Sequence, residues 1–247
     1  MYLNFKTIEN IKSLEGIKTS DGKAIKKNSF FRSADLHNLN KEELDILKTK
    51  YNLKTVIDFR SDISFENKKD RLDESISLYH IRALEYLNYT PYNKNIPLPP
   101  VEFFMDIYKR LAISEDGINT YKKFFKVILN SKEGSILYHC TSGKDRTGIA
   151  TDLLLYVLGC SMETIYEEHL SVNVYQEKIF NDFIKTYKFK DDEDEIFYRT
   201  YYFAKKEYLD YFFKSIIDKF GSIDNYLFKG LDLSKNDIEY LKEKYLE

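Results

Sequence analysis

The sequence has few cysteines, prolines and glycines, and it has no tryptophan. Its 247 residues include two cysteines, four prolines and nine glycines. Two cysteines exclude a fold held together by several disulfides. The four histidines do not form a Cys/His cluster, which argues against a structural zinc site. Neither charge sign dominates, because 38 Lys and Arg face 40 Asp and Glu, so we expect no nucleic acid partner.

Long hydrophobic runs are also missing. The first twelve residues contain Lys6, Glu9 and Lys12 and no apolar stretch, so no signal peptide is predicted. The most apolar segment, residues 149–160, contains Asp152 and is too short to span a bilayer. We therefore expect a protein of the reducing cytoplasm with no transmembrane segment, and export without a signal peptide stays open.

The chain does have enough apolar side chains for a sizeable core. Hydrophobic residues make up 43% of it and aromatic residues 16%, so disorder is not expected. The length, and the absence of repeats and low-complexity linkers, predict a single domain over residues 1–247. All four prolines lie in residues 91–100, which predicts one irregular surface segment.

Strand and helix signals alternate early in the chain, and helix signals dominate later. Strands are predicted over residues 30–32, 54–59, 75–81 and 135–139. Helices are predicted over residues 41–51, 101–130 with an interruption near 115–117, 148–158, and from 163 to the end with a turn at 191–195. Asn40 and Glu43 resemble a capping box for the first helix. This pattern predicts an α/β fold with a small, mostly parallel central sheet flanked by helices, and a helical C-terminal half.

One segment, residues 139–148 (His-Cys-Thr-Ser-Gly-Lys-Asp-Arg-Thr-Gly), lies between a predicted strand and an apolar helix. Backbone N–H groups and the helix N-terminus make such a loop favourable for an oxyanion. Five residues separate Cys140 from Arg146, enough for the loop to curl around one phosphate. Arginine can bind two phosphate oxygens at once, which lysine cannot.

A thiol in this position is a candidate nucleophile. An ordinary thiol, with a pKa of ~8.5, is only slightly ionised at neutral pH. The helix N-terminus and Arg146 are expected to lower the pKa of Cys140. Thr147 can hydrogen-bond the sulfur, and Gly143 leaves room for phosphate. A Walker loop does not fit, because Tyr138 and Asp145 stand where it needs Gly and Ser or Thr.

The pattern Cys-x5-Arg-Thr after His resembles the active-site loop of the cysteine-dependent protein tyrosine phosphatases. More narrowly, residues 139–148 resemble the bacterial tyrosine phosphatase family that also acts on phosphoinositides and includes secreted mycobacterial and listerial members. The resemblance extends over nearly the whole chain. Its other blocks are residues 31–36 (Phe-Arg-Ser-Ala-Asp-Leu), 56–61 (Val-Ile-Asp-Phe-Arg-Ser), 220–222, 226–227 and 231–234.

This resemblance implies hydrolysis of phosphomonoesters, above all phosphotyrosine in proteins, through a phosphocysteine intermediate on Cys140, without a metal or other cofactor. A phosphoinositide phosphatase and a non-catalytic phosphate-binding module are the alternatives. The expected partners are a phosphotyrosyl protein or a phosphoinositide, with phosphate or other oxyanions as inhibitors in the loop. The expected phosphate-binding residues are Thr141, Ser142, Gly143, Lys144, Asp145 and Arg146.

The general acid is left open among four aspartates. Asp145, inside the loop, is the first candidate. A chain without tryptophan has no mobile Trp-Pro-Asp acid loop like that of the receptor-type tyrosine phosphatases, so Asp58, Asp62 and Asp106 are the alternatives. The only glutamine is Gln176, so no dedicated glutamine for the hydrolytic water is expected.

Some other polar residues have structural interpretations beside functional ones. We expect His139 to orient the loop by donating to its backbone, and His37, His80 and His169 to be ordinary surface or core histidines. We expect Arg60 to brace the sheet through an ion pair, with contact to phosphate as the alternative.

Cys160 and the aromatic residues near the C-terminus also have two interpretations. Cys160 is predicted to be a small core residue, with a thiol that resolves oxidised Cys140 as the alternative. The aromatic residues between Phe197 and Phe213 predict a helix packed on the core. A lid formed by this region or by the proline segment is a hypothesis.

Overall fold

The computed structural model describes residues 1–84 and 100–247, and a five-stranded sheet lies at its centre. The strands are β1 (Lys12–Ser13), β2 (Phe30–Ser33), β3 (Leu53–Asp58), β4 (Ser77–His80) and β5 (Ser135–His139). Their order is β1-β2-β5-β3-β4, and only the β1–β2 pair is antiparallel. The four predicted strands are confirmed to within two residues. β1 was missed because two residues are too few to show a pattern.

Helices surround the sheet and form the C-terminal half, so the predicted fold class is confirmed. The helices are α1 (Lys41–Thr49), α2 (Asp62–Asn67), α3 (Pro100–Ile113), α4 (Glu115–Asn130), α5 (Asp145–Leu158), α6 (Met162–Leu170), α7 (Asn173–Thr186), α8 (Asp192–Tyr202), α9 (Lys206–Phe220), α10 (Ile223–Asn225) and α11 (Lys235–Tyr245). A π-helical turn covers Tyr226–Gly230. Three of the four prolines of the predicted irregular segment lie outside the described residues.

The central strands are buried on both faces, as expected for parallel strands covered by helices. All five residues of β5 are buried. Ile136 and Tyr138 face a large apolar cluster with α3, α4, α5 and α9, whereas Leu137 faces a smaller cluster with α1. This alternation follows from the two-residue repeat of a strand and holds β5 rigidly between two layers.

Three helix predictions need correction at their ends. α5 begins at Asp145 rather than at 148, because the Gly148 N–H donates to the Lys144 carbonyl and closes the first turn (2.7 Å). The predicted turn at 191–195 is the start of α8, where Asp191 caps the Asp194 N–H and the acidic side chains complement the helix dipole. The aromatic region is two helices, α8 and α9, rather than one.

The predicted capping box of α1 is only half formed. The Asn40 side chain accepts from the Glu43 N–H (2.8 Å), as expected. The Glu43 carboxylate does not return the bond, because it accepts from the backbone of Lys6 and from the N–H of Thr7 (3.0 Å). Glu43 therefore fastens the N-terminal segment to α1.

None of the helices in the described part of the chain combines the length and the apolar character that crossing a bilayer requires.

Candidate active site

The loop of residues 140–144 joins the end of β5 to the start of α5. It lies at the carboxyl edge of the parallel strands, beside the ends of β2 and β3. This edge is where open α/β sheets bind their ligands.

Every carbonyl of this loop accepts a hydrogen bond from outside the loop. In the order of the carbonyls from Cys140 to Lys144, the donors are His139 Nδ1 (3.2 Å), Asp35 N (3.3 Å), Asn10 Nδ2 (2.9 Å), Arg32 Nη2 (2.9 Å) and Gly148 N (2.7 Å). Sequence reasoning did not find Asn10 and Arg32, because nothing local marks a side chain that binds a carbonyl more than a hundred residues away.

These bonds decide where the loop amides point. All peptide bonds of the described residues are trans, and a trans peptide directs its N–H and its C=O to opposite sides. Fixing the carbonyls outward therefore turns the following N–H groups inward. Within the described residues, the N–H groups of residues 141–146 donate to no protein acceptor. A run of such amides at a helix N-terminus forms an anion-binding concavity.

Gly143 is needed for the loop to lie against β2. Its φ is +70°, in the left-handed region that favours glycine. A Cβ on Gly143 would lie 2.4 Å from the Ser33 carbonyl oxygen. The close approach that the structure shows is to the end of β2, and the approach of phosphate to Gly143 stays a prediction.

The Cys140 thiol lies under the loop and is only 2% exposed. Burial raises the pKa of Cys140, but the positive charge of Arg146 and hydrogen bonds from the side chain and backbone of Thr147 lower it more, so the net shift is downward. The Thr147 hydroxyl is itself buried and has no oxygen or nitrogen partner among the described residues. The site thus favours the thiolate.

Arg146 lies at the rim of the loop and is half-buried. Its Nη1 donates to the Phe59 carbonyl (3.2 Å) and its Nη2 to the Thr141 hydroxyl (3.2 Å). Both contacts hold the guanidinium plane between β3 and the loop. A guanidinium has five donors, so others remain for an anion in the concavity.

Asp145 is the first residue of α5, and its side chain is 23% exposed. One oxygen accepts from the Tyr108 hydroxyl (2.9 Å), and the other lies 3.7 Å from Lys144 Nζ. Its charge opposes ionisation of Cys140. A carboxyl group that is held by a tyrosine, close to the thiol and open to solvent can reach a substrate.

The three alternative aspartates have other partners. Asp58 is fully buried and bound to Arg60. Asp62 is paired with Arg82 (2.9 Å) on the exposed side of β4, and Asp106 with Arg110 (2.7 Å) one turn along α3.

The Lys144 side chain contacts α3 and α8. Its ammonium donates to the Tyr201 carbonyl of α8 and lies 5.2 Å from the centre of the Phe104 ring. Burial lowers the pKa of Lys144, while Asp145 and Cys140 oppose the shift. Contact between this ammonium and phosphate stays a prediction; the ammonium contacts α3 and α8.

A buried ionic cluster supports the loop from below. Arg60 donates to both Asp58 (2.7 Å) and Asp70 (2.9 Å), which is the bracing role expected for it. Burial lowers the pKa of His139, but Asp58 and Asp70 outweigh it and raise the pKa to about 9. His139 is therefore an imidazolium that donates to the Cys140 carbonyl, as predicted.

The same cluster brings together three side chains of the types that bind metal ions. Ligand atoms of Asp58, Asp70 and His139 lie within 4.8 Å of one another. However, the Arg60 guanidinium binds both carboxylates, so the protein itself supplies the positive charge there.

The other three histidines are surface or core residues, as expected. His37 pairs with Asp35, and His80 stacks on Phe65 with ring centres 4.0 Å apart. His169 is buried, and its Nδ1 lies 2.7 Å from Asp152. It belongs to a polar cluster behind Asp145 that no sequence pattern indicated.

Cys160 lies at the far end of α5 and is a buried core residue, as predicted. Burial raises its pKa to about 11. A helix of 14 residues is about 21 Å long. A disulfide needs Cα atoms within about 7 Å, so the resolving-thiol alternative for Cys160 is wrong.

Comparisons with known proteins place this arrangement in context. Residues 3–247 match the sequence profile described as "Tyrosine phosphatase family". A Cupriavidus necator protein that carries a tyrosine-protein phosphatase name is 25% identical over 251 residues, covering 99% of this chain and 88% of that protein. A Nostoc commune protein named "Tyrosine-protein phosphatase" is 49% identical over 39 residues, 16% of this chain and 13% of that protein.

Among solved structures, the core catalytic domain of the PP-IP phosphatase SIW14 from S. cerevisiae is 17% identical, with a TM-score of 0.39 over 81% of this chain and 98% of that one. TpbA from P. aeruginosa is 12% identical, with a TM-score of 0.32 over 78% of this chain and 96% of that one.

Proposed function

The chain belongs to the tyrosine phosphatase family, and from that premise we propose that it acts as one domain that hydrolyses phosphotyrosine in proteins, with Cys140 as the nucleophile. The observation that supports this most is the loop itself: outward-bound carbonyls, inward amides and a thiol whose pKa is lowered. These features suit a tetrahedral dianion above a thiolate.

In the first step, the Cys140 thiolate attacks phosphorus while the loop amides and Arg146 hold the non-bridging oxygens. The P–S bond forms and the P–O bond to the tyrosine breaks. Asp145 gives its proton to the leaving phenolate oxygen. Stabilisation of the equatorial oxygens by preorganised donors is the main contribution of the protein.

In the second step, water attacks the phosphocysteine and Asp145 takes the proton of that water. The P–S bond breaks, phosphate leaves, and the thiolate is restored beside Arg146 and Thr147. Asp145 thus serves first as an acid and then as a base, which returns the enzyme to its starting state.

A phosphoinositide is the second candidate substrate. Lys144 adds a positive charge to the loop, and this charge interacts with that of Cys140. Extra positive charge favours a substrate with several phosphates. It also fits the narrower resemblance of residues 139–148 to bacterial enzymes that act on both substrate classes.

The decisive experiment traps the intermediate. Acid quenching during turnover of a ³²P-labelled phosphotyrosyl peptide should leave label on the wild-type protein and none on the Cys140→Ser variant. Parallel turnover measurements on a phosphotyrosyl peptide and on phosphoinositides in vesicles rank the two substrates. Binding without turnover of either substrate would make the chain a phosphate-recognition module and refute the proposal.

The role of Asp145 is tested with aryl phosphates of different leaving groups. Asp145→Asn should reduce kcat about 100-fold for leaving groups of high pKa and much less for those of low pKa. Asp106→Asn, which removes an exposed carboxylate paired with Arg110, is the matched control. An equal loss on all leaving groups would assign the acid to another residue.

A further inference from the structure

A row of polar side chains continues from Asp145 into the protein interior. The Tyr108 hydroxyl, from α3, lies 2.9 Å from Asp145 Oδ1 and 3.4 Å from Nε2 of His169 in α6. The Nδ1 of His169 lies 2.7 Å from Oδ2 of Asp152 in α5. Tyr108, His169 and Asp152 are all buried, and the proposed reaction does not otherwise use them.

The geometry of α5 accounts for this row. Asp145, Gly148 and Asp152 lie on one face of the helix, because their spacing is three and then four residues. A Cβ on Gly148 would lie 3.4 Å from both Cε1 and Nδ1 of His169. The imidazole of His169 therefore packs against Gly148, where an added Cβ would be in ordinary van der Waals contact with it.

The hydrogen-bonding groups have complementary roles. A carboxylate can only accept, so we assign His169 the tautomer that carries its proton on Nδ1, toward Asp152. Its Nε2 is then an acceptor that faces the Tyr108 hydroxyl. That hydroxyl has one proton and two neighbouring acceptors, Asp145 on one side and His169 on the other.

We infer that Tyr108 is a positioning residue for Asp145, and that His169, held by Asp152, is the second acceptor that makes this possible. When Asp145 is a carboxylate, the Tyr108 hydroxyl donates to it. When Asp145 is protonated, the Tyr108 proton rotates toward His169 and the hydroxyl oxygen accepts from Asp145. The proton never leaves Tyr108, so the only proton transfers are those from Asp145 to the leaving oxygen and from the attacking water to Asp145.

This inference rests on the proposed function, in which Asp145 alternates between acid and base. An ordinary donor would bind only the charged form and would disfavour the protonated one. A hydroxyl beside a second acceptor binds both the charged and the protonated form of Asp145, with the carboxyl group in the same orientation. Burial and the nearby charge of Asp145 raise the pKa of Tyr108 well above its ordinary value, so the hydroxyl keeps its proton.

Several other groups act on Asp145 and His169. Lys144 Nζ lies 3.7 Å from Asp145. The charge of Asp145 also acts on the Cys140 thiol and on the hydroxyl of Tyr208 from α9. The charges of Arg32 and Glu168 act on Asp152 behind His169. Lys144 itself is unchanged in the Tyr108 and His169 variants below.

The test is Tyr108→Phe, measured with the full chain on a series of aryl phosphates. Losing one hydrogen bond to Asp145 should reduce kcat about tenfold for poor leaving groups and much less for good ones. The alkaline limb of the pH–rate profile should move to higher pH, because the carboxylate loses more than the protonated acid does. A purely structural role of Tyr108 would lower all rates together and leave the limb in place.

His169 variants test the second acceptor. His169→Gln can still donate to Asp152 and accept from Tyr108, so it should keep most of the activity and the leaving-group dependence. His169→Leu should resemble Tyr108→Phe. The matched control is Tyr226→Phe, because the Tyr226 hydroxyl is also buried but has no hydrogen-bond partner among the described residues; its leaving-group dependence should not change.

The outcomes separate this inference from the proposed function. If Asp145→Asn steepens the leaving-group dependence but Tyr108→Phe and His169→Leu do not, the positioning role is wrong and the phosphatase proposal stands. If Asp145→Asn has no such effect, the assignment of the acid itself is wrong. A uniform loss in both Tyr108→Phe and His169→Leu would reduce the row to a packing role and overturn the inference.

Discussion

The two ends of α5 place two buried cysteines in opposite electrostatic surroundings. Cys140 lies five residues before the start of the helix, under the anion-binding loop, and Cys160 lies two residues after its end. Both side chains are buried in the same apolar cluster. The pKa of Cys140 is nevertheless lowered, while that of Cys160 is raised to about 11.

The difference shows that burial alone does not decide whether a thiol is reactive. Burial raises the pKa at both ends. At the first end, Arg146, the Thr147 hydroxyl and the Thr147 N–H stabilise the thiolate. At the other end, no cation or donor of the described residues opposes the effect of burial on Cys160. The positive end of the helix dipole favours a lower pKa for Cys140, and the negative end favours a higher pKa for Cys160.

The largest expected effect separates the two cysteines directly. Cys140→Ser should reduce kcat on an aryl phosphate by about 10⁴-fold or more, because a hydroxyl is not ionised in this site. Cys160→Ala should leave kcat unchanged, since α5, about 21 Å long, separates Cys160 from the loop. A folded Cys160→Ala variant without activity would contradict the comparison.

Arg146→Lys tests the positive charge at the active end. We expect kcat/KM to fall about 100-fold to 1000-fold, because an ammonium cannot replace two donors held in one plane. Arg110→Lys, which changes an exposed arginine paired along α3, is the control and should retain activity. Wild-type rates in Arg146→Lys would show that charge alone is sufficient.

Thr147→Val measures how much a single hydroxyl contributes to the lowered pKa of Cys140. Removing it should raise the pKa of Cys140 by about one unit, so that alkylation below that pKa slows about tenfold. The rate is followed against pH with iodoacetamide in a Cys160→Ala background, where only one thiol reacts. In wild type the alkylation midpoint should lie below the ordinary thiol pKa of ~8.5. An unchanged midpoint in Thr147→Val would remove Thr147 from the explanation.

The smallest expected effect lies at the other end of the helix. Gly159 ends α5 in the αL conformation, with φ +90°. The nearest atom to a Cβ added at Gly159 would be 3.9 Å away, so there is room for it. Gly159→Ala should therefore lower the free energy of unfolding by about 1 kcal/mol without changing kcat. Urea denaturation monitored together with turnover measures both quantities. A loss of activity here would mean that the two ends of α5 are coupled.

The parts of the molecule that the sequence predicted are those whose cause is local. The strands around Val56 and Leu137 follow from runs of β-branched and apolar residues, and the loop follows from the spacing of Cys140 and Arg146. The start of α5 was predicted three residues late. The N-cap residue is Lys144, and its side chain makes no capping hydrogen bond, so the sequence shows no capping pattern there.

The parts that were missed depend on pairs of residues far apart in the chain. Asn10 and Arg32 bind carbonyls of Ser142 and Gly143, 132 and 111 residues away. Tyr108 meets His169 only because α3, α6 and the start of α5 come together in the assembled fold. Such contacts are set by how the elements assemble, and a single sequence carries no periodic signal for them.

The outward hydrogen bonds of the loop carbonyls have a consequence for protein engineering. Transplanting residues 139–148 onto another sheet would bring the nucleophile and the guanidinium but not all the hydrogen bonds that shape the loop. Three of the five donors to the loop carbonyls (Asn10, Arg32 and Asp35) lie in the first thirty-five residues of this protein. A successful graft would have to carry the N-terminal segment and β2 as well. Removing the N-terminal segment from this protein should inactivate the enzyme, although that segment has no proposed contact with phosphate.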